Sequence, residues 1–166
     1  MASRRQRPLL DSGSRAAGFR LSRLEGGEAT LAELTARGRV LLVFFKATCP
    51  VCQLTLPFLQ RIHAVGTLTG TLQICGISQN DANDTRDFNA YFGVTFPMLL
   101  DAEDEDFPAS NAYGISSVPS MFLVEPDGVI SRVIEGWNKM DMDALGAAAG
   151  MTLFQPEENV PAWKAG

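Results

Sequence analysis

The sequence predicts an α/β fold: a three-layer α/β/α sandwich around a central mixed β-sheet, extended at its N-terminal end by a β-hairpin. Three features carry that expectation. The run VLLVFF at 40–45 is apolar at every position, so both faces of the strand it forms must be covered. A helix-period segment follows it almost at once, and a Pro-Asp-Gly turn joins two β-rich runs further on. Strands alternating with helices, then a hairpin and a last helix, require helices on both faces of one sheet.

Taken in order, FRLSRL (19–24) alternates apolar with polar residues and EGGE (25–28) supplies a turn, predicting a short peripheral hairpin. RVLLVFFKA (39–47) is the central strand. PVCQLTLPFLQRIHAV (50–65) sets Leu54, Phe58, Ile62 and Val65 at helical spacing, with Pro57 as a kink and Gly66 as the stop. TLQICGIS (71–78) reads as a strand, and DTRDFNAYFG (84–93) as a helix with Phe88, Tyr91 and Phe92 inward. FPMLLD (96–101) is a short strand, and DEDFPASNAYG (104–114) a loop with a brief helix. PSMFLVEPDGVISRVIEG (119–136) forms a hairpin about Pro126, Asp127 and Gly128, before an amphipathic helix at about 140–149. Residues 1–15 are expected to be a disordered lead-in, 16–150 the domain and 151–166 a C-terminal tail.

With 166 residues, 46% of them apolar, the chain suits one globular domain. A net charge of -5 without a cluster of Lys and Arg leaves no basic stripe for a phosphate backbone, so nucleic acid is not an expected partner. The longest apolar run is far shorter than the roughly 20 residues of a bilayer span. Arg4 and Arg5 stand together, but no apolar stretch of about 7 to 15 residues follows them, so no export signal is read and the expected compartment is the reducing cytoplasm.

The chemistry sits in TCPVC. Cys49 and Cys52 are three residues apart where the strand hands over to the helix. With Cys49 as N-cap, Pro50 takes the first helical position, where a missing N–H costs nothing. The Cys49 sulfur then faces unpaired N–H groups and the positive end of the helix, which favour thiolate and make it the nucleophile. Cys52, one turn on, lies within reach to resolve a mixed disulfide. A zinc site needs about four ligands, and the remaining candidates are Cys75 and His63. His63 is 11 residues past Cys52 on the same helix, roughly 16 Å away at 1.5 Å per residue. No metal and no cofactor are therefore expected, and a redox couple leads over an inert pair. Cys75 in an apolar strand reads as a small buried hydrophobe and His63 as a helix-surface residue. The acidic run DAEDEDF (101–107) lacks the spaced ligands and glycine of a calcium loop and reads as solvated.

At these residues the chain resembles the thioredoxin superfamily, in particular its TlpA/ResA-like thiol-disulfide oxidoreductases, which share a family label (redoxin, AhpC/TSA) with the peroxiredoxins. The likeness runs from about Ala17 to Ala149, through GFRLSRLEGGEATLAELTARGRVLLVFFKATCPVCQLTLPFLQRIH, YFGVTFPMLLD, AYGISSVPSMFLVEPDGVI and EGW. It implies a thioredoxin-like fold and exchange of a Cys49–Cys52 dithiol with a disulfide-bearing protein substrate. A reductase partner would regenerate the dithiol, and a monomer is expected. It makes Pro119 the cis-proline beside the active site and Val118 the backbone offered to an extended substrate segment, with Pro50 and Val51 completing the contact surface.

Several positions depart from the family pattern. Thr48 replaces the usual tryptophan before the first cysteine, Phe45 alters the end of the strand motif, and Val43 and Thr55 stand where relatives carry an acid. Lys46 is then a candidate for electrostatic tuning of the thiolate, beside its plain reading as a strand-end lysine in water. A thiol-dependent peroxidase is the alternative enzyme. The P-x-x-x-T-x-x-C pattern of that group, aligned on Cys52, would need proline at Phe45 and threonine at Cys49. A non-catalytic binding or copper-delivery module is the third reading, and the relatives that deliver copper use C-x-x-x-C with a distant histidine.

Overall fold

A computed structural model describes residues 6–101 and 103–166. Strand β3 (Val40–Phe45) is buried at all six positions and lies inside a seven-stranded mixed sheet. It pairs in parallel with β4 (Gln73–Ser78) and antiparallel with β6 (Ser120–Val124). β5 (Met98–Leu100) runs parallel to β4, and β7 (Ile130–Glu135) closes one edge against β6. The hairpin β1 (Arg20–Arg23) and β2 (Glu28–Thr30) is part of this sheet, because β1 pairs with β5 and makes β2 the other edge.

The period-2 geometry of β3 explains the unbroken apolar run. Leu41, Val43 and Phe45 face a core closed by helices α2 (Pro50–Thr69), α3 (Ala82–Phe92) and α5 (Lys139–Ala148). Val40, Leu42 and Phe44 face a second core closed by α1 (Leu31–Thr35) and α4 (Pro108–Tyr113). The fold is the expected α/β/α sandwich.

Three local expectations are corrected. The long helix runs past Gly66 to Thr69 and ends on Gly70, which takes the left-handed φ of +67°. Gly66 serves packing instead, since a Cβ there would stand 2.7 Å from the Leu72 carbonyl oxygen. The buried face of α2 is Cys52, Thr55, Leu56, Leu59, Ile62 and Gly66, so Leu54, Phe58 and Val65 flank the seam and are only partly covered. On α3, Phe88 and Thr85 are buried while Tyr91 is 84% exposed.

The two ends also differ from expectation. Residues 1–5, with Arg4 and Arg5, lie outside the described residues. Where a disordered lead-in was expected, the Leu10 N–H donates to the Tyr113 carbonyl (3.0 Å), Leu9 and Leu10 pack on the second core, and Arg15 bridges to Val129. The expected tail carries Leu153 and Phe154 into the first core, and its Trp163–Lys164 forms a strand, β9, paired with β8 (Trp137–Asn138). Both segments lacked a period that could announce them. Among the described residues no helix is long and apolar enough to cross a membrane.

The two helix faces give a direct test. Leu59→Ala is expected to cost about 2–5 kcal/mol in urea unfolding. Tyr91→Ala should stay within about 0.5 kcal/mol; a larger loss at Tyr91 would contradict the exposed placement.

Candidate active site

β3 ends at Phe45, and four residues later Cys49 caps α2. The intervening turn is held from two sides. The Ala47 N–H donates to the Asn80 side-chain oxygen (2.8 Å), and the Gln53 side-chain amide donates to the Ala47 carbonyl (2.9 Å). The Cys49 N–H donates to the Lys46 carbonyl (3.2 Å). Asn80 and Gln53 escaped the sequence reading; the one available signal was a polar residue just beyond the parallel neighbour strand.

Cys49 is the N-cap, with Pro50 at the first helical turn as the spacing predicts. Its half-buried sulfur accepts the Cys52 N–H (3.3 Å), and its thiol donates to the Val118 carbonyl (3.4 Å). The Val118–Pro119 peptide bond is cis, as the resemblance implies. Ser120 Oγ steadies this loop by donating to the Ser117 carbonyl (2.8 Å). Cys49, Cys52, Val118 and Pro119 therefore share one end of the sheet, with Pro50 exposed and Val51 partly exposed beside them.

Cys52 is fully buried against Val43, Leu56 and the rest of the first core. Burial pushes its thiol well above the ordinary value of 9.0. A hydrogen bond with the Lys46 backbone opposes the rise; contact with Cys49 adds to it, and the Lys46 charge again opposes it. The exposed Lys46 thus bears on Cys52 chiefly through its backbone, and its charge, the smallest of these influences, reaches Cys52 from a side chain exposed as its plain strand-end reading has it. Val43 and Thr55 are both fully buried, and the Thr55 hydroxyl is spent on the Val51 carbonyl (2.7 Å). Neither position supplies a proton acceptor.

The remaining candidates lie elsewhere. Cys75 faces the second core, across the sheet from Cys52, and burial pushes its thiol up to about 12. His63 sits near the far end of α2 against Phe96, where burial lowers its pKa. Asp101 is buried and accepts the Ala109 and Ser110 N–H groups (2.9 and 2.8 Å), so it caps α4 across a gap in sequence. Among the described residues no three potential ligands gather as a metal site.

A C-x-x-C pair heading a helix beside a cis-proline, on a sheet of this order, defines a thioredoxin-like thiol-disulfide oxidoreductase. The comparisons agree. The AhpC/TSA family profile matches residues 12–133. The thiol-disulfide oxidoreductase ResA of Geobacillus thermodenitrificans is 30% identical over 125 residues, covering 75% of this chain and 69% of that protein. A thiol:disulfide interchange protein from Bacteroides sp. superposes with TM-score 0.71 at 22% identity, covering 89% of this chain and 94% of that one. The peroxidoxin BcpB of Mycobacterium tuberculosis superposes with TM-score 0.67 at 21% identity, covering 86% and 95%. At those identities the two structures speak for the fold alone. The chain belongs to the AhpC/TSA family, and its function is that of the thiol-disulfide oxidoreductases within it.

Two measurements test this geometry. Native-state alkylation of the reduced protein should label Cys49 at least about tenfold faster than Cys52 or Cys75, read by mass spectrometry. The second concerns pH. Cys52 and Cys75 hold their protons more tightly folded than unfolded, so the stability they contribute is full below pH 9.0 and is lost as pH rises beyond it. The urea midpoint of the reduced protein should therefore fall above about pH 9, and replacing Cys75 by Ala should flatten that fall.

Proposed function

We propose that Cys49 and Cys52 exchange electrons with disulfide-bearing protein substrates while a partner reductase restores the dithiol. The supporting observation is the unequal placement of the two sulfurs. Cys49 is only half-buried at a helix N-terminus, and Cys52 is dry one turn behind it.

Cys49 thiolate attacks one sulfur of the substrate disulfide, forming a mixed disulfide and releasing the other sulfur as thiolate. Cys52, once deprotonated, attacks the Cys49 sulfur; the Cys49–Cys52 disulfide forms and the second substrate sulfur leaves. The substrate has then gained two electrons and two protons. Val118 and Pro119 would align an extended substrate segment, with Pro50 and Val51 as the facing surface. With no acid at Val43 or Thr55, the Cys52 proton passes to water or to the departing substrate thiolate.

In a reducing compartment net flow is toward substrate reduction, and the protein acts as a monomer. A thiol peroxidase is the competing reading, kept by the family match.

Cys49→Ser should abolish exchange, and Cys52→Ser should accumulate a mixed disulfide that can be recovered from cells and sequenced. Recovery of no protein on Cys49, together with rapid peroxide consumption by the unaltered chain, would favour the peroxidase. Because the buried thiol must ionise, resolution of a preformed mixed disulfide should accelerate about tenfold per pH unit between pH 6 and 8 by stopped flow. A flat profile would mean that the proton is taken up within the site, by a protein group or by the departing substrate thiolate, rather than by water.

A further inference from the structure

The C-terminal segment returns to the cis-proline loop. Gly166 lies so close to Val118 that a Cβ on it would collide with the Val118 carbonyl oxygen and stand 3.4 Å from the Pro119 nitrogen. Gly136 meets the same segment: a Cβ there would collide with the Lys164 carbonyl, and its φ of +69° independently favours glycine. The Gly136 N–H in turn donates to the Pro119 carbonyl (2.8 Å). Residues 164–166 thus pass Gly136 and finish on Val118, beside the Cys49 thiol.

The segment is tied down along its length. Arg61 on α2 pairs with Glu158 (2.7 Å) and lies over the Phe58 ring. The Trp137 indole N–H donates to the Pro161 carbonyl (2.6 Å), and the Lys139 N–H to the Ala162 carbonyl (2.9 Å). Beyond these anchors only two residue pairs, Trp137 with Lys164 and Asn138 with Trp163, join β8 to β9. So short a ladder can open without disturbing the core, where Trp137 stays packed on Phe58 and Phe154.

The other flank of Val118 is open. A cavity of about 200 Å³, whose lining includes Lys46, Gln79, Phe107, Ser116, Ser117 and Val118, contains no residue of this segment. Cys49 itself lies outside that cavity but is only half-buried, between exposed Thr48 and Pro50, so a small disulfide can approach its sulfur directly, whereas an extended protein segment adding itself to the Val118 backbone needs the ground that Gly166 covers.

We propose that residues 163–166 are a specificity strap on the Cys49 site. Protein disulfides pair with the Val118 edge only after displacing the strap, while low-molecular-weight disulfides reach Cys49 with the strap in place. The inference rests on the oxidoreductase reading above. While the strap is closed, the apparent affinity for a protein substrate is reduced by the fraction of molecules in which it is open.

The test compares the chain with a variant lacking 163–166, which keeps the Pro161 and Ala162 anchors, and with a Gly166→Val variant, whose side chain cannot share space with the Val118 carbonyl. Reduction of insulin reports a protein disulfide, and reduction of an aromatic low-molecular-weight disulfide reports Cys49 alone. Both variants should raise kcat/KM for insulin by about fivefold or more. The small-disulfide rate should stay within about twofold, as expected when the thiol's surroundings are unchanged. Should the shortened chain fail to melt cooperatively, Gly166→Val decides alone. Unchanged or lower insulin rates, or an equal rise for both disulfides, would overturn the strap while leaving the oxidoreductase intact. A full chain inert toward both disulfides, or one whose activity survives Cys49→Ser, would remove the oxidoreductase reading and the strap with it.

Discussion

The site depends on the antiparallel register of β3 with β6, in which Phe44 stands opposite Ser120. From that pair, one step back along β6 is Pro119 and two is Val118, while five steps on from Phe44 is Cys49. The strand ends therefore deliver the cis-proline loop and the cysteine cap to the same edge of the sheet. Shifting the register by one residue would turn Leu41, Val43 and Phe45 out of the core that α2 closes, so the hydrophobic pattern of β3 holds the chemistry in place. Burial on both faces of β3 makes such a slip costly twice over.

α2 couples that register to reactivity. Its N-terminus presents Cys49 to solvent and the Val118 carbonyl, and its packed face, one turn later, carries Cys52 into the core. Both positions follow from helical geometry: a cap lies off the end of the helix, and the residue three on lies over the seam. One sulfur is thereby accessible and the other dry, so an incoming disulfide meets Cys49 first. In the proposed exchange, this packing sets the order of the two steps.

Much of this was legible in the sequence because it rests on local periodicity or on a short motif. The apolar run 40–45, the Cys-Pro-Val-Cys cap and the Pro-Asp-Gly turn each specify their structure within a few residues. The phase of α2 was misread because Leu54, Phe58 and Val65 look like a core stripe, yet Thr55 and Gly66, a polar and a side-chainless residue, hold the buried positions. Tyr91 was misplaced for the opposite reason: an aromatic ring on a helix need not face inward. Segments 6–15 and 151–166 carry no period, and their contacts join residues about a hundred apart or lie across short irregular turns. Such contacts leave no pattern in one chain, so Asn80 behind Ala47 and Gly166 over Val118 emerge only from coordinates.

The missing acids bear on how the Cys52 proton is handled when the Cys49 sulfur is resolved. Oxidoreductase and peroxidase turnover both end with Cys52 attacking an oxidised Cys49 sulfur, so both meet the cost of ionising a thiol held among Val43, Leu56 and Leu59. They differ in what leaves. A substrate disulfide departs as a thiolate that can take up the Cys52 proton where it forms, substituting for the carboxylate that Val43 and Thr55 do not provide. In peroxide reduction the first step releases water or an alcohol, and when Cys52 then attacks the resulting sulfenic acid the hydroxide expelled from the Cys49 sulfur takes up the Cys52 proton as water. The leaving group thus completes the proton balance in either reaction, and the dry pocket imposes the same cost of ionising Cys52 on both.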